Sequence, residues 1–463
     1  MQHSFVFTKT SWLIACLSAC SAESDPAATD GDSGTNLTST AAASSSGGGT
    51  GSMAQTAMTA AATSAATTSA ATTTSAATTA AGTTASTLVT GSVTSTTSGA
   101  DNTASNTTGA ESSTGGMGGA SSSTETNTTE SPSTTGGDPS CRGGSELDFS
   151  LVGWATEAGG TSGGKGGQTI SVSTGSELGQ ALEDQQDSST PLTILVEGTI
   201  TSANSGDLTK FDVKDVSDVS IIGVGAGAEF DGIGIKIVRA SNIVLRNLKI
   251  YNVTLGDKDA ISIEGPADHI WVDHCELHAE YQNVDKDYYD GLLDAKAEAE
   301  YITYSWNYLH DSWKTALVGS SEDDTFDRKL TMHHNHFENC NSRLPLFRGG
   351  NGHVFNNLYE DILSTAINSR VGACIRVENN HFENVLNPWI SAYSDELGGV
   401  ELACNHVSDD SEFVLAADDE HEPLDCVANV PYAYDQVLNH VDQVANLVGM
   451  HAGVGKLTDP TEF

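Results

Sequence analysis

Positively charged residues are scarce in this chain, which has 20 Lys and Arg against 61 Asp and Glu among 463 residues. Nine acidic residues fall in 21–140 and Lys9 precedes them, so 52 acidic and 19 basic residues, a net charge of −33, remain in 141–463. This charge disfavours nucleic acid and bare anionic membrane as partners. A polyanionic polymer would also be repelled unless a cation lay between it and the protein.

Cysteine pairs with the spacing of a metal site are also missing. None of the six cysteines in 141–463 forms a CxxC pair, which disfavours a structural zinc site. An even number of cysteines permits disulfides in an exported protein, but the sequence leaves their pairing open. The six are Cys141, Cys275, Cys340, Cys374, Cys404 and Cys426.

Large apolar residues are almost absent from 21–140, which consists mainly of Ser, Thr, Ala and Gly and contains no Lys or Arg. Such a segment cannot bury enough surface to offset the entropy that ordering would cost. We therefore predict a disordered tether over 21–140 and a single folded domain over 141–463.

The first 20 residues have the features of a secretory signal. Lys9 precedes an apolar run from Trp12 to Ala15, and small residues follow before Cys20. The run is too short to remain in a membrane as a spanning helix. Leu-Ser-Ala-Cys at 17–20 resembles a bacterial lipoprotein processing site, which predicts lipidation of Cys20 and a secreted or cell-surface protein anchored to a bacterial membrane. An ordinary signal with an incidental cysteine is the alternative.

An internal repeat predicts the architecture of 141–463. Strand-like runs rich in Val, Ile, Tyr and Phe each end in an asparagine two residues before an apolar residue, at intervals of 22 to 28 residues. Periods of this size with one turn residue per unit are typical of a solenoid of parallel strands. We predict a right-handed, single-stranded parallel β-helix in which the asparagines hydrogen-bond one another along the stack. They are Asn307, Asn335, Asn357, Asn380 and Asn405.

Amphipathic helix patterns are few. One over 176–184 precedes a strand at 194–196 and is predicted to cap the N-terminal end of the solenoid. A second helical pattern covers 434–447.

Four aspartates form a candidate cation site. Asp257 and Asp259 lie about one repeat before Asp290 and Asp294, so neighbouring coils can stack them. Ca²⁺ prefers several carboxylate oxygens from separate backbone segments. The sequence lacks the alternating ligands and central glycine of an EF-hand after Asp290. A calcium site between two coils is therefore predicted.

Two arginines, Arg343 and Arg348, stand five residues apart across Pro345 and suggest a site for an anionic ligand. Proline disfavours helix, and alternate residues of a strand face opposite sides. The odd spacing thus requires a bend if both side chains are to converge. Lys314, about one coil earlier, can line the same groove.

Other polar clusters are assigned to packing. His333 and His334 suggest a metal tract, but alternation along a strand predicts that they face opposite sides. Asp273 and His274 are predicted to pack inside a coil.

Several long motifs, taken together and in this order, resemble polysaccharide lyase family 1, the pectate lyases. The resemblance covers roughly 150–410. The motifs are Gly153-Trp-Ala155, Gly159-Gly-Thr-Ser-Gly-Gly164, Ile221-Ile-Gly223, Trp271-Val-Asp-His274, Asp290-Gly-Leu-Leu-Asp294, Tyr301-Ile-Thr-Tyr-Ser-Trp-Asn307, Lys314-Thr-Ala-Leu-Val-Gly319, Arg343-Leu-Pro-Leu-Phe-Arg348, Gly352-His-Val-Phe-Asn-Asn357 and Glu378-Asn-Asn380.

The resemblance implies a parallel β-helix and calcium-dependent β-elimination on α-1,4-linked polygalacturonate. It implies that Arg343 is the catalytic base and that Lys314, Arg348 and Lys296 contact the substrate. The implied calcium ligands are Asp259, Asp290 and Asp294, with Asp257 as a possible helper. We expect a monomer whose partner is the pectate polymer.

Two other functions stay open on the sequence. A hydrolase such as a polygalacturonase would need paired carboxylates and no calcium. A non-catalytic surface protein would keep the solenoid and the polyuronate groove. Retention of both the aspartates and Arg343 favours the lyase, although a guanidinium group, with a pKa above about 12, is an unusual base and implies an alkaline working pH.

Overall fold

The computed structural model describes residues 141–415 and 421–463, in which parallel strands wind through three sheets. The predicted signal, Cys20 and the predicted tether lie outside the described residues. We call the eleven-stranded sheet A, the eight-stranded sheet B and the nine-stranded sheet C. Every pairing within the three sheets is parallel, and each strand pairs with the strand three places earlier over most of the chain, as a solenoid requires.

The strands are numbered in chain order. Sheet A contains β1 Gln168–Val172, β2 Leu192–Val196, β5 Ser217–Gly223, β8 Ser241–Arg246, β11 Ala267–Asp273, β14 Ala299–Ser305, β17 Lys329–His333, β20 Asn351–Phe355, β23 Cys374–Glu378, β26 Gly399–Ala403 and β28 Leu424–Asp425. Sheet B contains β4 Phe211–Lys214, β7 Ile235–Val238, β10 Ile261–Glu264, β13 Leu293–Lys296, β16 Leu317–Val318, β19 Leu346–Arg348, β22 Ile367–Arg370 and β25 Trp389–Ile390. Sheet C contains β3 Thr199–Thr201, β6 Ala228–Asp231, β9 Leu248–Tyr251, β12 Glu276–His278, β15 Tyr308–Lys314, β18 His336–Ser342, β21 Leu358–Ile362, β24 His381–Val385 and β27 His406–Val407.

The core is the interior of the coil, where like side chains stack on like. Phe337, Tyr359 and Phe382 occupy one register position on three successive coils, with ring centroids 4.9 and 4.6 Å apart. All three are fully buried. Residues on either side of each inward position face outwards, so the same strands that build the core also present rows of polar groups in register.

The asparagine ladder is confirmed. Asn307 Nδ2 donates to Asn335 Oδ1 at 2.9 Å, and the pattern continues through Asn357 and Asn380 to Asn405 at 2.9 to 3.0 Å. Each amide oxygen also accepts the backbone N–H of the preceding rung, as in Asn307 N to Asn335 Oδ1 at 3.0 Å. The ladder satisfies backbone groups at a bend that has no room for water.

Helices cover both predicted regions, with one change of boundary. Helix α1, Gly175–Gln186, packs Leu178 and Leu182 into the solenoid core, and Thr174 and Glu177 form a capping box at its start. Helix α2 is Val441–His451, so the prediction of helix over 434–440 was wrong. The residues before α2 include a turn at 435–437 and cover sheet A, where Tyr432, Val437 and Leu438 pack with Trp154 and Phe355. Short 3-10 helices are Trp154–Thr156 and Ser202–Asn204.

None of the helices in the described part of the chain has the length and apolar content to cross a bilayer.

Disulfides and histidines settle two points that the sequence left open or misjudged. Cys141 pairs with Cys404 and Cys374 with Cys426, while Cys275 and Cys340 are free and buried.

The prediction that His333 and His334 face opposite sides was wrong, since their Nδ1 atoms are 2.9 Å apart. His334 has a φ of +54°, which breaks the alternation where β17 ends.

Candidate active site

Sheet B brings the predicted aspartates together. Asp294 and Lys296 lie on β13, and Asp259 lies two residues before β10, the strand that pairs with β13. The register places Asp259 beside Gly291, one residue after Asp290. We call Asp259, Asp290, Asp294 and Lys296 the carboxylate site.

Lys296 joins the two buried carboxylates of this site. Its Nζ atom lies 3.0 Å from Asp259 Oδ2 and 3.2 Å from Asp294 Oδ2. The other oxygens accept backbone hydrogen bonds: Asp259 Oδ1 from Gly291 N and Asp294 Oδ1 from Leu317 N, both at 2.9 Å. The backbone therefore fixes the orientation of both carboxylates before any ligand arrives.

Gly291 allows this close approach. A Cβ atom at position 291 would lie 2.3 Å from Asp294 Oδ1, well inside van der Waals contact. The glycine of the Asp-Gly-Leu-Leu-Asp motif thus leaves space for the Asp294 carboxylate, and any larger residue would displace it.

The carboxylate site holds more negative charge than Lys296 neutralises. Burial, together with the charges of Asp294 and Asp290, raises the pKa of Asp259 to about 7. Burial also raises the pKa of Asp294. Desolvation opposes the charge of Lys296, but the Asp294 and Asp259 carboxylates outweigh it and raise the pKa of Lys296. A cluster of hard oxygen donors with surplus negative charge fits a divalent cation such as Ca²⁺.

Asp257 lies on the edge of this cluster and has other partners. Its Oδ2 atom is 2.9 Å from Lys210 Nζ and 3.1 Å from Lys236 Nζ. These lysines lower its pKa despite partial burial. A role as a helper ligand stays a prediction, and it would require Asp257 to exchange a lysine for the cation.

Lys314 ends β15 and reaches towards the carboxylate site from the next coil. Its Nζ atom lies 2.6 Å from Asp287 Oδ1 and 3.3 Å from Asp290 Oδ1. Desolvation opposes its charge, but these carboxylates raise its pKa. Sequence reasoning missed Asp287, which only its position in the loop before Asp290 could have suggested.

The chain bends at Arg343, as the odd spacing of the arginine pair requires. Arg343 has a φ of +67°, and the Leu344–Pro345 peptide is cis. The guanidinium is half-buried and is within electrostatic range of Asp294, Asp287 and Lys314. Among the arginines, all of which lie in the described ranges, Arg343 alone has no side-chain hydrogen bond or ion pair with a described residue.

Arg348 is held differently, because its side chain is only 1% exposed. Its Nε atom lies 3.1 Å from Glu322 Oε1, and one terminal nitrogen donates to Gly319 O at 2.9 Å. Arg370 binds the same Glu322 oxygen at 2.8 Å. Sequence reasoning missed Glu322 and Arg370. Substrate contact by Arg348 stays a prediction, and it would require Glu322 to move or to share the guanidinium.

Two further predictions concern packing residues. Asp273 is fully buried and binds Ser305 Oγ at 2.6 Å, Arg246 at 2.9 Å and His274 Nδ1 at 2.7 Å. A packing role for Asp273 and His274 is confirmed by their burial, but the prediction that they lie inside a coil was wrong, because they contact neighbouring coils and the covering residue Phe149.

Known proteins are similar to this chain in both sequence and fold. The profile of the pectate lyase family matches residues 147–457. A pectate trisaccharide-lyase of Bacillus licheniformis is 53% identical over 310 residues, which cover 67% of this chain and 88% of that protein.

Two solved structures are similar over nearly their whole length. Pectate lyase Bsp165PelA from Bacillus sp. N165, in complex with trigalacturonate, has a TM-score of 0.61 and 39% identity, covering 66% of this chain and 99% of that one. Pectate lyase C from Erwinia chrysanthemi, at pH 9.5 with 30 mM Ca²⁺, has a TM-score of 0.57 and 27% identity, covering 67% and 97%. With its parallel β-helix and its match over two thirds of the sequence, this chain belongs to the pectate lyase family.

Proposed function

We propose that this protein is a polysaccharide lyase that cleaves α-1,4-linked polygalacturonate by β-elimination and leaves a 4,5-unsaturated sugar at the new non-reducing end. The observation that carries the proposal is the Arg343 guanidinium, which has no side-chain hydrogen bond or ion pair with a described residue and is within electrostatic range of the buried Asp294 carboxylate. Family membership and the trigalacturonate bound to a relative support the same substrate class.

Asp259, Asp290 and Asp294 would hold Ca²⁺, with Asp257 as a possible helper. The surplus charge of the carboxylate site supports this assignment, as does the calcium in the conditions of the Erwinia relative. Bound calcium would neutralise the galacturonate carboxylate next to C5 and so make the C5 proton more acidic. It would also offset the repulsion between an acidic protein and an acidic polymer.

Arg343 acts as the base. In its deprotonated, neutral guanidine form, the Arg343 side chain would accept the C5 proton, the C5 electron pair would form the C4–C5 double bond, and the bond from C4 to the glycosidic oxygen would break. That oxygen takes a proton from solvent water and becomes the anomeric hydroxyl group of the new reducing end. Among the described residues Arg343 has no carboxylate partner, so its nitrogens are available to the substrate, whereas a paired arginine would have its nitrogens occupied.

Lys296, Lys314 and Arg348 would position substrate carboxylates. Lys296 and Lys314 are partly exposed, at 24% and 17%, and both stand beside the carboxylate site. A substrate carboxylate would replace Asp287 on Lys314. Arg348 is buried, so in its present position it would act on the substrate through its ion pair with the more exposed Glu322.

The protein acts outside the cytoplasm in this proposal, because a polymer substrate cannot enter the cell. Disulfides Cys141–Cys404 and Cys374–Cys426 support an oxidising compartment. We propose that 1–20 directs export, that 21–140 is a tether and that Cys20 carries a lipid anchor. The catalytic domain, 141–463, is proposed to act as a monomer.

The decisive experiment measures ultraviolet absorbance of the unsaturated product with polygalacturonate, with and without a calcium chelator. We expect absorbance to rise only with calcium. New reducing ends without absorbance would indicate a hydrolase instead. Binding of the polymer without either signal would indicate a non-catalytic surface protein.

A further inference from the structure

A cluster of metal-ligand side chains lies on sheet C, away from the strands that build the carboxylate site. Glu276 and His278 lie on β12 and His310 lies on β15, the strand of the next coil. The side chains of Glu276 and His278 both face outwards, because Leu277 between them points into the core. Register pairing sets His310 beside His278.

The donor atoms of this cluster are already close together. One ligand atom from each of Glu276, His278 and His310 lies within 4.8 Å of the others. His310 Nε2 is 3.8 Å from Glu276 Oε1. The imidazole rings of His278 and His310 stack with centroids 4.5 Å apart, between the rings of Tyr251 and Tyr308. Aromatic contacts on both sides hold the two histidines in place.

A second feature orients His310 as a ligand. Its Nδ1 atom is 2.7 Å from Asp311 Oδ2, and the other Asp311 oxygen accepts a hydrogen bond from Asn339. A carboxylate on one ring nitrogen fixes the histidine tautomer and turns the other nitrogen towards a metal, an arrangement common around zinc. His310 Nε2 is buried and has no hydrogen-bond partner among the described residues.

We propose that Glu276, His278 and His310 form a site for a divalent transition-metal ion such as Zn²⁺. Two imidazole nitrogens and a carboxylate oxygen are a donor set that zinc accepts, with water in the fourth position. The ion would join two coils of sheet C. Its ligand His310 is on β15, the same strand that carries Lys314 four residues later.

A similar cluster four coils further along sheet C is less well built. His381, Glu383 and His406 also bring their ligand atoms within 4.8 Å of one another. His406 is exposed, and the Glu383 side chain is 50% exposed. Glu276 and His310, by contrast, are 18% and 14% exposed. The first cluster is therefore the site with the higher affinity.

Lys249 competes with the metal for Glu276, since its Nζ atom is 2.6 Å from Glu276 Oε1. Binding must displace or share this ion pair. Lys249→Gln should therefore raise Zn²⁺ affinity several-fold. A lower affinity in that variant would contradict Glu276 as a ligand.

The experiment is a calorimetric titration of the full chain with Zn²⁺ in saturating Ca²⁺, so that the carboxylate site is already filled. We expect one higher-affinity Zn²⁺ per chain, lost in His278→Ala and in His310→Ala. Asp311→Asn should weaken binding by about 10- to 100-fold, because it removes the orienting carboxylate. His336→Ala is the matched control, since His336 pairs with Glu360 at 2.6 Å and stacks on the far side of Tyr308, so it neighbours the cluster without supplying a ligand atom.

Folding is checked by thermal melting of each variant without metal. Zn²⁺ should raise the melting temperature of the parent protein and of His336→Ala, but not of His310→Ala, because a ligand that binds only the folded state stabilises it. Equal Zn²⁺ binding by the parent and a His278→Ala, His310→Ala double variant would overturn the proposal. Loss of the tight site in His381→Ala, or no binding below millimolar Zn²⁺ in the parent, would overturn it as well.

Discussion

Lys296 Nζ lies 3.0 Å from Oδ2 of Asp259, and the Asp259 carboxylate is buried while the Lys296 side chain is partly exposed. The Lys296 ammonium group lies between the Asp259 and Asp294 carboxylates and neutralises part of their negative charge. It does not suffice, because the pKa of Asp259 is still raised to about 7. A divalent cation supplies the remaining charge in the function proposed above.

Asp259→Asn should weaken calcium binding by at least about 10-fold and reduce lyase activity at limiting calcium, because it removes a buried carboxylate ligand. Calcium titration by calorimetry measures the first effect and product absorbance the second. Asp257→Asn is the comparison, since Lys210 and Lys236 already occupy that carboxylate. Its effect on calcium affinity should be smaller, and an equal effect would make Asp257 a full ligand.

Calcium affinity should rise as the pH increases through about 7. The raised pKa of Asp259 means that this carboxyl is protonated below that value, and a protonated carboxyl is a poor calcium ligand. Calorimetric titrations about one pH unit below and above 7 test the direction. A calcium affinity independent of pH across this window would contradict Asp259 as a ligand.

Turnover at saturating calcium should continue to rise with pH above neutrality. Guanidinium groups have pKa values above about 12, so the fraction of any arginine that can accept a proton grows with pH. Initial rates of product absorbance across an alkaline series provide the measurement. A flat or acid-peaked profile would argue against Arg343 as the base.

Arg343→Lys should lower kcat by roughly 10²- to 10⁴-fold and leave pectate affinity nearly unchanged, because the charge remains while the base changes position and chemistry. Arg239→Lys is a matched control, as Arg239 pairs with exposed Asp215 outside the site. Retained turnover in Arg343→Lys would place the base on another residue.

Glu378→Gln should destabilise the folded protein by about 3 kcal/mol at neutral pH, since Glu378 is buried and binds Arg142 and Arg376, both at 2.9 Å. Burial opposes its charge, but His353, both arginines and Tyr434 lower its pKa overall. A lowered folded-state pKa contributes stability that is present above the unfolded value, about 4.3, and is lost as the pH falls towards the folded value.

Urea unfolding of the parent and the variant as a function of pH checks this prediction. The stability difference should be largest near neutrality and should shrink below about pH 4, where the unfolded carboxylate is already protonated. Glu401→Gln is a control on the same network, because Glu401 contacts Arg376 from a partly exposed position and should cost less. If the difference in unfolding free energy between the parent and Glu378→Gln stays constant with pH, the destabilisation does not come from loss of the Glu378 charge.

The repeat of asparagines allowed the parallel β-helix to be predicted from the sequence. Asparagines at 22- to 28-residue spacing belong to bends that need an internal hydrogen-bond donor and acceptor, so Asn307 to Asn405 located the coils before any contact was known. Helix α1 was also predictable from the pattern over 176–184. The helix observed, Gly175–Gln186, is only slightly longer and begins with a capping box. Helix α2 began later than predicted, because the aromatic and apolar residues before it pack on sheet A around a turn at 435–437.

Motifs identified the residues of the site but not their partners. The resemblance gave Arg343 and Arg348 different roles but not their surroundings: Arg343 has no side-chain partner among the described residues, and Arg348 is buried against Glu322. Asp287 and Glu322 carry no motif of their own, since loops brought them to Lys314 and Arg348. The pairing of the cysteines was equally invisible, because Cys141 and Cys404 are 263 residues apart.

The sequence by itself determined the solenoid, the family resemblance and the set of charged residues, because each depends on spacing along one chain. Tertiary structure decided which charges meet. Distances between coils set the Lys296 bridge, the pairing of Asp257 with two lysines and the approach of His278 to His310. Electrostatic and hydrogen-bond energies depend on separation in space and on burial, and spacing along the chain fixes neither.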